Sequence, residues 1–135
     1  MEKRKENNGM EVKYYVCSHC GNIIEMVKDE GVPIMCCGTV MKGLRPGMTD
    51  ASAEKHVPVC TVQGEHVHVS VGAAPHPMEK EHYIEWITLV TDQGIYRKKL
   101  APGEDPAADF YLAGGEKVKE TYAYCNLHAL WMSEM

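Results

Sequence analysis

Two groups of metal-ligand side chains stand out in the 135-residue chain, which carries six cysteines and seven histidines. Cys17-Ser-His-Cys20 puts two thiols on one tight turn, and Cys36-Cys37 brings two more after fifteen intervening residues. Four thiolates define a tetrahedral site for iron or zinc. A zinc ribbon as a rule closes with a second C-x2-C knuckle. Adjacent cysteines instead have Cα atoms only ~3.8 Å apart and reach one metal only with a distorted S–M–S angle, which suits a redox iron better than a structural zinc. Gly21 and Gly38, each directly after a cysteine pair, let the backbone turn closely enough for its amides to face the sulfurs. A zinc staple for this short unit is the alternative. His19, inside the first knuckle, is read as exposed, because four thiolates already complete the set.

The second group is His56, His76, His82, Cys125 and His128, spread over more than seventy residues. Only the fold can bring them together. His76 stands in Pro75-His-Pro77, where a proline on each side restricts the backbone and holds the residue in one orientation. Cys125-Asn-Leu-His128 spaces a thiolate and an imidazole three residues apart, close enough for both to bind one ion.

The length suits one domain, or one small domain with a metal-stapled unit beside it. Fourteen Lys and Arg against nineteen Asp and Glu leave a net charge of −5, without the basic excess that general nucleic-acid binding needs. No run approaches a membrane span, and the opening Met1-Glu-Lys-Arg-Lys-Glu-Asn-Asn8 is charged rather than apolar, so a cytoplasmic protein is expected. Clustered cysteines there are metal ligands sooner than disulfides. The turn-rich Arg45 to Ala53 reads as a linker, which divides the chain into residues 10–45 and 46–135.

Beyond the linker the pattern is one of short strands. Val67, Val69 and Val71 alternate with His66, His68 and Ser70, the period of a half-buried strand. Tyr83 to Thr91, the turn Asp92-Gln-Gly94 and Ile95 to Leu100 read as a hairpin. Ala101 to Pro106 is a loop, Phe110 to Leu112 a short strand, and Lys117 to Tyr124 the last strand, leading into Cys125. Short strands without helical crossovers favour a mainly β chain, an antiparallel sandwich or barrel.

Glu54-Lys-His-Val-Pro58, Pro75-His-Pro-Met-Glu-Lys-Glu-His82, Glu85-Trp86 and Tyr124-Cys-Asn-Leu-His128 closely resemble the iron site of the superoxide reductases. The Cys17 to Cys37 segment is similar to a desulforedoxin module. Over roughly residues 10 to 133 the chain resembles the desulfoferrodoxin family, the two-iron superoxide reductases. The resemblance implies a small desulforedoxin-like N-terminal domain followed by an immunoglobulin-like antiparallel β-sandwich that carries catalysis. It implies two irons per chain. One would be held by Cys17, Cys20, Cys36 and Cys37, the other by His56, His76, His82 and His128 with Cys125 as axial thiolate. It further implies one-electron reduction of superoxide to hydrogen peroxide, a homodimer, and an external donor such as rubredoxin. Lys55 would steer the anionic substrate, and Glu54 matches a carboxylate that fills the sixth iron position after oxidation.

A thiolate trans to an open position makes iron a better reductant than oxidant, which speaks against a dismutase. A zinc-stapled binding module leaves five motif-placed ligands unexplained, and a pure electron carrier has no use for an open position. Cys60 reads as a small buried hydrophobe, His66 and His68 as solvent-facing, and Trp86 and Trp131 as packing around the core or the metal site.

Overall fold

The computed structural model describes residues 12–47 and 53–135, which fall into two compact units, Glu11–Arg45 and Pro46–Met135. The charged start Met1–Asn8 and residues 48–52 of the expected linker lie outside the described residues.

The first unit is built of very short strands: β1 (Tyr14–Val16), β2 (Ile23–Glu25), β3 (Met35–Cys36), β4 (Thr39–Val40) and β5 (Lys42–Leu44). β2, β1 and β5 form an antiparallel sheet in that order, and β3 pairs with β4 in a hairpin. Its buried apolar side chains are few, among them Tyr14, Cys17 and Met41. So small a core needs a staple, and the four thiols are where one would sit.

The second unit opens with a one-turn helix, α1 (Ala53–His56), then β6 (Pro58–Gln63), β7 (His66–Val71), β8 (Ile84–Thr91), β9 (Ile95–Lys99), β10 (Ala107–Tyr111), β11 (Val118–Cys125) and β12 (Ala129–Glu134). All pairings are antiparallel. β10, β7 and β6 make a three-stranded sheet, and β12, β11, β8 and β9 a four-stranded one. Val67, Val69 and Val71 of β7 and Phe110 of β10 share one core with Ile84, Ile87 and Leu89 of β8 and Ala123 of β11. The two sheets therefore face each other as a β-sandwich, each buried aliphatic residue contributing ~1.5–3 kcal/mol of transfer free energy.

The alternation over residues 66–71 holds, since all three valines are at most 1% exposed and the intervening residues are half-buried. The hairpin also stands, closed by Thr91, whose hydroxyl accepts from the Gln93 and Gly94 amides at 3.0 and 2.9 Å. Two strand readings need correction. β10 begins at Ala107 rather than Phe110, because Ala107 and Ala108 pair with Ser70 and Val69. The strand ending at Cys125 is not the last: Ala129–Glu134 returns along it as β12.

Candidate metal centres

In the first unit Cys17 follows β1, Cys20 closes the turn after it, and Cys36 and Cys37 sit at the β3–β4 hairpin. Their four sulfurs all lie within 4.8 Å of one another. Adjacent cysteines reach one centre because Cys37 adopts a left-handed backbone, φ 55°, and Gly38 follows at φ 74°. Cys20 and Cys36 sulfurs are 3.7 Å apart, far beyond a disulfide bond. The Cys20 amide donates to the Cys17 sulfur at 3.4 Å, and this donation is the main reason the Cys17 thiol is held down at about 6. A thiolate is the form that binds metal. His19 is exposed.

In the second unit three structural devices converge. His56 ends α1, His76 and His82 lie on the connection from β7 to β8, and Cys125 and His128 flank the β11–β12 turn. The four imidazoles form a closed square. Neighbouring ring centroids are 4.7 Å apart for His56–His76, 4.7 Å for His76–His82, 5.2 Å for His82–His128 and 4.9 Å for His128–His56. Each neighbouring pair meets edge to face, while His56 and His82 face each other across the square at 6.5 Å. Ligand atoms of His56, His76, His82 and Cys125 all lie within 4.8 Å of one another. Nδ1 of His128 is 3.1 Å from Nε2 of His56 and 3.8 Å from the Cys125 sulfur.

This arrangement fits a metal on its own terms. Nε2 of His76 and Nε2 of His82 are buried and have no hydrogen-bond partner, which a protein interior rarely tolerates. Nδ1–H of His76 donates to the Pro77 carbonyl at 2.7 Å, so the proton sits on Nδ1 and Nε2 presents a lone pair. Burial also holds this imidazole neutral, its pKa lowered to about 4. Burial pushes the Cys125 thiol up, while the backbone amides of Leu127 and His128 pull it down by pointing at the sulfur. Imidazole nitrogens with one thiolate are a donor set suited to iron.

The local backbone explains the aim of Cys125. The β8–β11 register jumps between Tyr124–Trp86 and Cys125–Ile84, passing over Glu85, and such a bulge redirects the next side chain. Ala129 then takes a left-handed backbone, φ 64°, to close the turn that carries His128. α1 is seated from below by Gly72, φ 86°, where a Cβ would stand 2.7 Å from the Lys55 carbonyl oxygen and still closer to Ala74 O. The Ala73 amide donates to the Glu54 carbonyl at 2.7 Å and the Gly72 amide to the Val57 carbonyl at 3.0 Å.

Glu54 and Lys55 are exposed on α1, and the Lys55 ammonium adds to the field that lowers the His82 pKa, after the larger effect of burial. Trp131 packs against the site, as one of the two roles read for it. Trp86 stacks on Tyr124 at 5.4 Å. His66 and His68 both bond one oxygen of Asp109 at 2.8 Å on the solvent side of β7. Cys60 is half-buried against the sandwich core, less enclosed than its apolar neighbours suggest. Sequence reasoning passed over Gly72 and Asn126. Gly72 ends an alternating strand, where a turn glycine is unremarkable, and Asn126 is signalled only by standing between two ligands.

Comparison with known proteins agrees with this geometry. The desulfoferrodoxin family model matches residues 48–134. A desulfoferrodoxin homolog of Archaeoglobus fulgidus is 44% identical over 122 residues, covering 90% of this chain and 96% of the relative. The desulfoferrodoxin of Nitratidesulfovibrio vulgaris is 44% identical over 120 residues, covering 89% and 94%. Among solved structures, the superoxide reductase from Treponema pallidum superposes with a TM-score of 0.78 at 35% identity, covering 92% of this chain and 99% of that one. With its square of imidazoles beside one thiolate and its separate four-cysteine cluster, the chain belongs to the desulfoferrodoxin family.

Proposed function

We propose that this chain is a superoxide reductase, and the observation that carries the proposal is the closed square of His56, His76, His82 and His128 beside the Cys125 sulfur. Iron held there would supply one-electron reduction: superoxide plus two protons and one electron, drawn from an external donor, gives hydrogen peroxide. Cys17, Cys20, Cys36 and Cys37, with their sulfurs gathered within 4.8 Å of one another, would hold the second iron.

The chain's own residues divide the remaining work. Four imidazoles and the Cys125 thiolate would hold the iron, which would be reached by a small oxidant. The amides of Leu127 and His128 stabilise the Cys125 thiolate, and Pro77 fixes the His76 tautomer. Superoxide must approach a chain of net charge −5, so a local cation is needed. Lys55 on α1 draws the anion in and stabilises charge that develops on it, and Glu54 beside it is the carboxylate that would bind the iron after oxidation.

The same reading assigns residues 10–45 to a desulforedoxin-like iron domain and 46–135 to the catalytic β-sandwich. The electron donor is rubredoxin or a similar small protein. Thiolate ligand sets need a reducing compartment, which supports a cytoplasmic location; among the described residues no helix is long and apolar enough to cross a membrane. The chain works as a homodimer, and Met35 opposite Val40 on the β3–β4 hairpin, 60% and 51% exposed, offers apolar surface for a second copy.

The test is metal content on anaerobically purified protein, with visible spectra before and after chemical oxidation, followed by product counting. Two irons, a band from the four-thiolate centre, a second thiolate band appearing on oxidation, and one peroxide per superoxide with no oxygen released are expected. Zinc alone in a protein that stays colourless after iron reconstitution overturns the proposal. Half a peroxide per superoxide identifies a dismutase instead.

A further inference from the structure

The ligands of the four-histidine centre come from separate stretches of chain, and the strand ladder that relates them stops short. The β8–β11 pairing ends at Ile84 opposite Cys125. His82 lies two residues before Ile84, beyond the last ladder pair.

Asn126 takes over where the ladder ends. Its backbone N–H donates to the Tyr83 carbonyl at 3.2 Å. Its side-chain Oδ1 accepts from the Tyr83 amide at 2.9 Å, and its Nδ2 donates to the Glu81 carbonyl at 3.0 Å. An amide can only donate and a carbonyl only accept here, so the orientation of the Asn126 side chain is unambiguous. One side chain thus grips the backbone on both sides of His82. The turn it grips is closed by reciprocal bonds between Glu79 and His82, both 2.9 Å. Asn126 itself is the residue after Cys125.

We infer that Asn126 is a positioning residue of the iron site, fixing the His82 loop against the Cys125 turn and so setting where the His82 Nε2 stands relative to the sulfur. The inference rests on the reading that both residues share one iron. The chemistry selects asparagine. Aspartate has the acceptor but no donor, and its charge would face the Glu81 carbonyl. Alanine has neither group. Glutamine has both but is one methylene longer, which pushes the loop away.

The experiment uses the full-length chain as Asn126→Asp, which keeps the side-chain size, and Asn126→Ala. Each is loaded anaerobically with Fe2+, and iron retention is measured by competition with a chelator, the four-cysteine centre serving as internal reference. Loss of an outer partner of a metal ligand typically costs about 10–100-fold in affinity. That loss is expected at the four-histidine centre in both variants, with a displaced thiolate band on oxidation and an unchanged four-cysteine centre. Thermal melts separate positioning from general stability: the rise in melting temperature on iron loading should shrink while the metal-free variants melt close to wild type. Variants that hold iron as tightly as wild type, or that lose the same stability with and without iron, overturn the inference. A wild-type chain that takes up no iron at this centre overturns the site reading, and the inference with it.

Discussion

The indole of Trp131 lies against the imidazole of His56, ring centroids 5.0 Å apart and planes 24° from parallel. Its Nε1–H donates to the His128 carbonyl at 2.9 Å. One side chain of β12 therefore braces two ligands that reach the centre from opposite ends of the second unit, α1 and the β11–β12 turn. His76 is braced by Pro77 and His82 by the turn from Glu79. Every imidazole in the square has an outer support, the usual requirement for holding several ligands at fixed spacing.

Cys125 is fully buried, aimed by a bulge and faced by two amides that favour its thiolate, whereas a serine hydroxyl in the same place stays protonated and is a far weaker donor. Cys125→Ser should abolish peroxide production and remove the oxidised thiolate band while leaving the four-cysteine spectrum intact. Wild-type turnover in this variant would remove Cys125 from the ligand set. Stopped-flow mixing with superoxide and visible spectra of the same samples give both readings.

Much of this site was legible in the sequence, for reasons that differ by residue. The five ligands were found through short motifs, since residues as distant as His56 and His128 carry no local sign of proximity. The sandwich was legible where one face is buried, as in Val67 to Val71, because period two survives there. β12 escapes a reading by alternation because Leu130 and Trp131, adjacent and so on opposite faces, are both buried and Met132 after them is apolar as well. The strands of the first unit are two or three residues long, too short for any periodicity. The Asn126 and Trp131 supports are tertiary hydrogen bonds and stacking, which residue type alone does not reveal.

Lys55 is exposed on α1, near enough to His82 to affect its charge. Lys55→Ala should slow the second-order reaction with superoxide by about tenfold at low ionic strength, within the usual range of electrostatic steering. The salt dependence of the rate should flatten, because less attraction remains to be screened. Rates equal to wild type across a salt series would place the steering charge elsewhere.

His76 titrates at about 4 in the folded chain against an ordinary value of 6.5, chiefly because burial disfavours its charged form. Between those values the unfolded chain binds more protons than the folded one, so stability rises with pH. This contribution is complete above about 6.5 and is lost progressively as pH falls toward about 4. The metal-free chain should therefore melt lower at pH 5 than at pH 7.5. His76→Gln should reduce that difference, and an unaltered pH profile would show that another group governs it.

Gly72 has a backbone that side chains rarely adopt, φ 86°, and no room for a Cβ between Ala74 and Lys55. Gly72→Ala should cost on the order of 1–3 kcal/mol and displace α1, the carrier of Lys55 and His56. Denaturant unfolding measures the first effect. The second should appear as weaker iron retention at the four-histidine centre with no change at the four-cysteine centre. A variant with wild-type stability and iron retention would mean that the loop yields without disturbing α1.

Ala129 presents the opposite case, a residue with a Cβ where glycine would fit the backbone better. Its φ of 64° closes the turn bearing His128, and a left-handed conformation costs a non-glycine residue ~1–2 kcal/mol. Ala129→Gly removes that strain and loses only one methyl group, while its greater freedom in the unfolded chain offsets part of the gain. The net expectation is a stabilisation of up to about 1 kcal/mol, read as a higher denaturation midpoint with an unchanged slope. The turn should also tolerate the change without loss of iron, because the hydrogen bonds of Trp131 and Asn126 still fix it on either side. A lower midpoint would mean that the Ala129 methyl contributes more by packing than its backbone loses by strain.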